Sequence, residues 1–359
     1  MLKAANAFAV KGRPIQCERH GHGHINATYR LVTDEGLSYV LQKINRHVFK
    51  DVPALMHNVS AVTQHLSQAD PRPRHSLRLI NTHEGSTYFL DDEGEYWRLY
   101  DYIPDSICLD RAESKEDFYQ SAVAFGTFQN LLADFPAETL HETIPRFHDT
   151  PNRYVQFRQA VQEDAAGRGR DVQEDIAFAL AREAEASVMM ELLQKGELPL
   201  RVAHNDTKLN NVMLDAKTRG ALCVIDLDTV MPGLAANDFG DSIRFGASTA
   251  AEDERDLSLV RISLELYEAY TRGFLEQCGK RFTPKEIETL PLGAKLMTLE
   301  NGIRFLADHL AGDVYYRISR PGHNLDRART QFKLVQEMEA HWQEMADILA
   351  RVCGELGLG

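Results

Sequence analysis

The chain has few cysteines, no long apolar run and no excess of positive charge. Its 359 residues include five cysteines, which are far apart, odd in number and without a CxxC pair: Cys17, Cys108, Cys223, Cys278 and Cys353. A disulfide framework or a zinc knuckle is therefore not expected, and a reducing compartment fits best.

Hydropathy and charge exclude further classes of protein. No stretch approaches the roughly 18 consecutive apolar residues of a membrane span. The apolar run in the N-terminal segment MLKAANAFAVKGRP is too short for a signal peptide. The net charge of −13 disfavours general attraction to nucleic acids or anionic lipid. We predict a cytoplasmic protein without nucleic-acid or membrane partners, and nothing in the sequence demands more than a monomer.

Common catalytic motifs are missing as well. The phosphate-loop pattern GxxxxGK[ST] does not occur, because GKR at 279–281 lacks the upstream glycine and the hydroxyl residue. Neither GxSxG nor HExxH is present, which argues against serine hydrolases and zinc peptidases.

The pattern of the chain changes near residue 103. Before it, short segments rich in β-branched and aromatic residues are separated by Gly, Asp and Asn, and apolar residues over 55–66 recur at helical spacing. After it, helical periods dominate, including one helix expected over 171–195. We predict an α+β protein with two lobes: a small antiparallel sheet with one helix (1–103) and a large, mostly helical lobe (104–359).

One polar stretch, HNDTKLNN, holds the groups that phosphoryl transfer requires. That reaction needs a carboxylate facing the acceptor hydroxyl, donors for the nucleotide phosphates, and acidic or amide ligands for Mg²⁺. The kinase catalytic-loop pattern H-x-D-x-K-x-x-N matches at His204, Asp206, Lys208 and Asn211. Asp226 follows an apolar strand 15 residues after Asn211, a distance that one β-hairpin covers. A polar turn would explain one such residue, but not the whole set.

A literal DFG at 238–240 lies too far along the chain to supply the metal ligand. It begins 27 residues after Asn211, so we predict Asp226 as the ligand and Asp238 as a cap of the next helix. Asp228 follows Asp226 by two residues and is a candidate to support that metal or bind a second one.

Two other segments carry candidate binding residues. In HGHGH, Gly21 and Gly23 would let backbone N–H groups approach a phosphate, and His24 would meet a hydroxyl-rich substrate; a structural metal or an exposed loop are the alternatives. A predicted helix near 296–310 carries a charged stripe, Glu300, Arg304 and Asp308, which on spacing alone favours a solvated ion-pair ladder. Tyr315, just beyond it, is a candidate to cover a ring face or an ordinary core residue.

Taken together, these strings resemble the aminoglycoside phosphotransferase and choline kinase family, whose members are small-molecule kinases with a two-lobe protein-kinase-like fold. Within that family the chain is most similar to the bacterial N-acetylhexosamine 1-kinases, through strings between about residues 20 and 340 such as GHGHINATY, LRVAHNDTKLNN, IDLDTVMPG and RFLADHLAGDVYY. The resemblance implies transfer of the γ-phosphate of ATP, with Mg²⁺, to the anomeric C1 hydroxyl of N-acetylglucosamine or N-acetylgalactosamine.

The resemblance also implies roles for single residues. Asp206 would be the catalytic base and face the acceptor, Lys208 would lie near the transferred phosphate, and Asn211 and Asp226 would hold Mg²⁺. The sugar would contact four further positions: His24, Arg304, Asp308 and Tyr315.

The chain departs from this family on the third strand, where a Lys or Arg is usual in V-x-L-K. Here the in-phase residue is Gln42, and Lys43 should point to the opposite face because strand side chains alternate. The following helix also has no Glu to pair with such a lysine. We expect loop backbone, Lys208 and metal to hold the phosphates, with Gln42 favoured over Lys43 as an additional contact.

Two alternative functions stay open at this point. A kinase of the same fold could act on homoserine, choline or an aminoglycoside, although Arg304 disfavours a polycationic acceptor. A catalytically inactive nucleotide-binding protein is compatible with the missing Lys–Glu pair, but such a protein has no need of Asp206. The sequence does not rank the two N-acetylhexosamines.

Overall fold

A computed structural model describes residues 1–21 and 25–358 of the chain. The predictions for Gly23 and His24 fall outside these residues. Among the described residues, no helix has both the length and the apolarity that crossing a membrane requires.

The N-terminal part is a five-stranded antiparallel sheet with the strand order β1-β2-β3-β5-β4. A short helix, α1 (Leu2–Ala5), precedes these strands: β1 (Pro14–Arg19), β2 (Ala27–Thr33), β3 (Ser38–Ile44), β4 (Phe89–Leu90) and β5 (Tyr96–Asp101). Side chains of alternate strand residues, including Leu31, Leu41 and Leu99, pack with Phe8 in a small core on one face. The opposite face carries Gln42 and Arg98, which are directly paired across β3 and β5.

Helix α2 (Val52–Ala69) forms where the sequence predicts it. The Asp51 carboxylate accepts a hydrogen bond from the N–H of Ala54 at 2.9 Å, and Pro53 occupies the first turn. The apolar stripe of α2 belongs to the core of the helical lobe rather than to the outer face of the sheet. The predicted boundary near residue 103 lies in the connection that follows β5. The main hydrophobic core nevertheless contains residues from both sides of this boundary.

The C-terminal part is mostly helical, as predicted. Its helices are α3 (Lys115–Leu131), α4 (Thr150–Glu163), α5 (Gln173–Leu180), α6 (Val188–Gln194), α7 (Ala235–Gly246), α8 (Leu264–Cys278), α9 (Pro284–Glu288), α10 (Leu290–Ala311), α11 (His323–Ala340) and α12 (Trp342–Leu356). Helix α10 is central and packs on α4, α7 and α11, while α3 packs on α8. Two small sheets hold the polar stretch: β6 (Ser106–Ile107), β8 (Val212–Asp215) and β9 (Ala221–Val224), and β7 (Arg201–Ala203) with β10 (Met231–Gly233).

The single helix expected over 171–195 is wrong, because the chain breaks it into α5 and α6. The hydroxyl of Tyr154 donates to the carbonyl of Ala179 at 2.9 Å, near the end of α5. In the connection, Glu185 forms an ion pair with Lys295 of α10 at 2.6 Å. These tertiary contacts outweigh the helical propensity of the intervening segment.

Helices α7 and α10 touch backbone to backbone through two glycines. A Cβ atom at Gly293 would lie 2.2 Å from the carbonyl oxygen of Ala236, and one at Gly240 would lie 2.3 Å from that of Gly293. No side chain fits in this space, so the two helices form one closely packed unit.

We predict that Gly293→Ala lowers the free energy of unfolding by about 1–3 kcal/mol, because the added methyl forces α7 and α10 apart. The control is Gly354→Ala on α12, where a Cβ meets nothing within 4 Å. That change should raise stability by up to about 1 kcal/mol, since alanine is the better helix former. Urea denaturation measures both, and equal stability of Gly293→Ala and the wild type would contradict this account of the packing.

Candidate active site

The polar stretch forms a loop between β7 and β8, and a hairpin joins it to Asp226. Strands β8 and β9 pair with Val212 opposite Val224, which brings Asn211 and Asp226 to the same end of the hairpin. The N–H of Ile225 donates to the carbonyl of Asn211 at 2.9 Å and closes that end. The spacing argument from the sequence therefore matches the observed geometry.

Asp206 lies in the loop with two polar partners. Its Oδ1 is 2.9 Å from Nζ of Lys208, and the Asn211 amide donates to its Oδ2 at 3.0 Å and to its carbonyl at 2.8 Å. The Asp206 side chain is 28% exposed, so a hydroxyl group can reach it. Burial would lower the pKa of Lys208, but the charge and hydrogen bond of Asp206 outweigh burial and raise that pKa. Lys208 is therefore a cation at neutral pH.

Asn211 and Asp226 have oxygen atoms suited to a hard cation. With the Asn211 amide nitrogen bonded to Asp206, neither its Oδ1 nor the Asp226 carboxylate accepts a hydrogen bond from the described part of the chain. Within the described residues, no group of three or more His, Cys, Asp or Glu side chains forms a ready metal cage. This arrangement fits Mg²⁺, which usually takes one or two carboxylates and completes its shell with phosphate and water oxygens.

The electrostatics of Asp226 reflect its crowded position. The carboxylate is open to solvent on one side, yet protein surrounds the rest of it. This burial, together with the charges of Asp228 and Asp206, raises the pKa of Asp226 to about 6. A bound cation would relieve the repulsion among these three carboxylates.

The DFG-like Asp238 is not a helix cap, and that prediction is wrong. It lies within α7, whose capping residue is Leu234. Its carboxylate accepts the backbone N–H groups of His204 and Asn205, both at 2.8 Å, and the side-chain amide of Gln129 at 2.9 Å. Asp238 thus fixes the start of the loop 204–211, which is the candidate catalytic loop and is called the catalytic loop below.

His204 connects this loop to the strand end before Asp226. Its Nδ1 accepts the N–H of Asp206 at 3.3 Å, so Nε2 carries the proton and donates to the carbonyl of Ile225 at 2.9 Å. The ring is fully buried, with edge-on contacts to Phe125 and Phe128. The His204 ring therefore connects the backbone at Asp206 to the backbone before Asp226, which is a structural role.

Sequence reasoning missed Arg98, a buried cation on the strand opposite Gln42. Its Nε donates to Gln42 Oε1 at 2.9 Å, and its Nη1 contacts Oδ1 of Asp228 as an ion pair without good hydrogen-bond geometry. Lys43 points to the other face and lies 3.6 Å from Glu95. The sequence feature that could have revealed Arg98 is an arginine at a position of the strand YWRLYD whose side chain points inward. The amide group of Gln42 is hydrogen-bonded within the sheet. A contact between Gln42 and the nucleotide therefore stays a prediction.

The glycine-containing loop is described only in part. Gly21 adopts a left-handed backbone with φ of 71°, and a Cβ there would meet nothing within 4 Å. Asn26, where β2 begins, is buried, and its amide donates to Oδ2 of Asp228. Contact between Gly21 and a phosphate stays a prediction.

The charged stripe of α10 is not a solvated ion-pair ladder. Glu300 is fully buried, where it meets Nδ1 of His148 at 2.8 Å and accepts from the hydroxyl of Thr150 at 2.8 Å. The other ring nitrogen of His148 lies 3.3 Å from the carbonyl of Asn205, which links α10 to the catalytic loop.

Arg304 lies between aromatic rings. Its guanidinium carbon is 5.3 Å from the centre of the Phe147 ring and 5.8 Å from that of Tyr316. It forms no ion pair or hydrogen bond with residues 1–21 or 25–358 that would occupy its donors. A partly buried guanidinium with free donors is an open binding group.

Asp308 and Tyr315, the other two predicted sugar contacts of this region, lie at the end of α10 and in the segment after it. The Asp308 carboxylate accepts the backbone N–H groups of Val314, Tyr315 and Tyr316 at 2.8–2.9 Å and the amide of Asn324 at 2.9 Å. Asp308 therefore orders the loop, and direct contact with a sugar stays a prediction that these bonds disfavour. The Tyr315 side chain is 71% exposed, so it is not a core residue.

The family of the chain follows from comparison with known sequences. A model of the phosphotransferase enzyme family, APH, matches residues 16–273, which is most of the chain. The chain belongs to this family. The predicted class of enzyme, a phosphotransferase, is thereby confirmed at the level of the family.

Solved structures of other phosphotransferases share the fold. Choline kinase from Cryptosporidium parvum Iowa II has a TM-score of 0.56 and 16% identity, over 92% of this chain and 90% of that one. An aminoglycoside phosphotransferase from Alicyclobacillus acidocaldarius has 0.55 and 12%, over 99% and 96%. Amicoumacin kinase in complex with AMP-PNP and Ca²⁺ has 0.57 and 14%, over 92% of each chain. These similarities confirm the two-lobe, protein-kinase-like fold of the phosphotransferase.

The raised pKa of Asp226 gives a testable pH dependence of stability. An unfolded Asp has a pKa of about 3.9, whereas folding raises that of Asp226 to about 6. Asp226 therefore contributes stability below about pH 4 that is lost as the pH rises through about 6. With a chelator present to remove metal ions, Asp226→Asn should have a higher melting temperature than the wild-type phosphotransferase at about pH 7.5. At about pH 4 the two melting temperatures should be the same. A gain that persists at pH 4 would show that charge repulsion is not its cause.

Proposed function

We propose that this phosphotransferase transfers the γ-phosphate of ATP to the C1 hydroxyl of an N-acetylhexosamine, N-acetylglucosamine or N-acetylgalactosamine. The observation that carries the proposal is the cluster of Asp206, Asn211 and Asp226 at one end of a hairpin, linked through α10 to Arg304, which has no ion-pair partner among residues 1–21 and 25–358. The cluster has the groups for phosphoryl transfer, and Arg304 has free donors for a neutral polar acceptor.

On the nucleotide side, Asn211 Oδ1 and the Asp226 carboxylate would hold Mg²⁺. When bound, the ion would neutralise charge on the phosphate oxygens. The Lys208 ammonium is held beside Asp206, where it can stabilise charge on the transferred group. A structural neighbour, the amicoumacin kinase, was captured with AMP-PNP and Ca²⁺, which supports nucleotide and divalent metal as the cofactor class.

On the acceptor side, Asp206 would orient the C1 hydroxyl in line with the γ-phosphate. Phosphoryl transfer has a loose transition state, so the carboxylate takes the proton late, and its main contribution is alignment. Its contact with Lys208 and with the Asn211 amide fixes the direction of both carboxylate oxygens.

The acceptor itself is argued from Arg304 and its surroundings. Ring and amide oxygens of a sugar accept hydrogen bonds from a guanidinium, and aromatic faces such as that of the exposed Tyr315 suit the C–H face of a sugar. A cationic acceptor such as choline, ethanolamine or an aminoglycoside would be repelled by the Arg304 charge. His24, predicted as a further sugar contact, completes the proposed set.

The test is ADP release with ATP and Mg²⁺ against N-acetylglucosamine, N-acetylgalactosamine, glucose, galactose, homoserine, choline and kanamycin. Phosphorus NMR of the product then gives the position of the phosphate. We expect a 1-phosphate of an N-acetylhexosamine. Turnover with another alcohol only would overturn the sugar proposal, and nucleotide binding without turnover would favour the inactive alternative.

The matched control for this assay is Asp206→Asn, which keeps the shape of the side chain and removes its charge. We expect kcat to fall about 10²- to 10⁴-fold, the usual contribution of a catalytic base. Nucleotide binding, measured by calorimetry, should stay near that of the wild type. A variant that keeps most of its rate would contradict the role of Asp206.

We predict that Arg304→Met raises the KM for the sugar about 10- to 100-fold, the range expected on losing hydrogen bonds from a charged donor. The KM for ATP should change little, because Arg304 lies on the acceptor side. The control is Arg158→Met on α4, whose exposed pair with Glu183 has no contact with the catalytic loop. An equal rise in both KM values would point to a loss of structure instead.

A further inference from the structure

Arg98 places a permanent positive charge inside the protein, on the inward face of the N-terminal sheet. Its side chain is 1% exposed, and a guanidinium cannot lose its proton under physiological conditions. It is fixed by Gln42 in the same sheet and by Asp228 from the C-terminal lobe. A buried charge of this kind is costly unless its partner is held in place as well.

Asp228 receives contacts from two separate elements of the N-terminal lobe. Arg98 of β5 meets Oδ1, and Asn26, where β2 begins beyond the glycine-containing loop, donates to Oδ2. The carbonyl side of Asn26 is also engaged, because it accepts the N–H of Asn45 at 2.9 Å. Asp228 itself lies two residues after Asp226, the proposed metal ligand. One carboxylate thus joins Arg98 of the sheet, Asn26 and the proposed metal-binding segment.

Stability alone gives no sufficient reason for this pair. Removing two charges from water costs about as much as their attraction returns, and apolar replacements are often as stable. In protein kinases, a Lys on the third strand and a Glu on the following helix connect the sheet to the phosphates. Here the third strand carries Gln42, and helix α2 offers the buried Asn58, whose amide donates to the carbonyl of Val230 at 3.0 Å.

We infer that Arg98 is a positioning residue of the nucleotide site, which acts through Asp228 to fix the metal-binding segment. It supplies from β5 the connection that a Lys–Glu pair supplies in protein kinases. The inference rests on the proposed kinase function for its nucleotide, but not on the identity of the acceptor. It predicts an effect on nucleotide and metal, and none on the sugar.

The test measures binding of Mg·ADP by calorimetry, without any acceptor. Arg98→Met should weaken binding about 10- to 100-fold, the range typical of residues that orient metal ligands. Arg98→Lys keeps a charge opposite Asp228 and should recover binding to within a few-fold of the wild type. In turnover assays, Arg98→Met should raise the KM for ATP and leave that for the acceptor unchanged.

A double variant that removes both charges of the ion pair distinguishes an effect on positioning from an effect on stability. Arg98→Met leaves the buried Asp228 carboxylate without a counter-charge, so the double variant Arg98→Met/Asp228→Asn should have a higher melting temperature than the single variant. Because it lacks the connection, its affinity for Mg·ADP should stay weak. The control is Arg182→Met, which breaks a half-buried pair with Glu339; within the described residues Arg182 has no hydrogen bond to the catalytic loop, so this variant should bind Mg·ADP normally.

Three results would overturn the inference. These are binding by Arg98→Met within twofold of the wild type, recovery of full affinity in the double variant, and equal weakening of nucleotide and acceptor. A wild-type protein that binds Mg·ADP but phosphorylates no sugar would refute the proposed acceptor and leave this test intact. A wild-type protein that binds no nucleotide would refute the kinase function itself.

Discussion

The backbone of the catalytic loop is held by carboxylates that rise from helix α7. Asp238 accepts the N–H groups of His204 and Asn205, and Asp241 accepts that of Thr207 at 3.0 Å. These bonds lie in the interior, where an unpaired N–H would be costly, so the loop has few other conformations. Asp206 lies between these hydrogen-bonded residues in the sequence, so its own backbone conformation is restricted as well. The direction of the proposed base is thus set by residues that need not touch any substrate.

The same helix ties the reacting group to the proposed acceptor site. Helix α7 is seated on α10 through Gly240 and Gly293, and α10 carries Arg304 about a turn beyond the buried Glu300. The His148 ring bridges Glu300 and the carbonyl of Asn205. The proposed base and the proposed acceptor contact Arg304 therefore lie on elements that pack on each other and are joined by hydrogen bonds. In contrast, the proposed nucleotide site is assembled from both lobes, and Asp228 is one of the residues through which they contact each other.

Much of this arrangement could be predicted from local sequence. The loop pattern and the 15-residue spacing predict that Asp206, Asn211 and Asp226 lie near one another, and the short hairpin of β8 and β9 brings them together. Arg98 escaped because its partner is 130 residues away in sequence, and only pairing of β3 with β5 brings it opposite Gln42. The roles of Asp238 and Asp308 escaped for the same reason: a carboxylate on a helix gives no sign of which distant backbone it will bind. The break in the helix over 171–195 likewise depends on side chains from other helices.

In the loop that Asp308 binds, residues 314–316, the backbone is fixed by hydrogen bonds while two of the side chains are exposed to solvent. One carboxylate fixes three consecutive N–H groups, while Val314 and Tyr315 beside it are 78% and 71% exposed. Exchanging those side chains removes no core packing and breaks none of these bonds, so variation there carries little thermodynamic penalty. Because Tyr315 is a proposed acceptor contact, the proposed function implies that acceptor range would diverge first through this loop, in nature or by directed evolution.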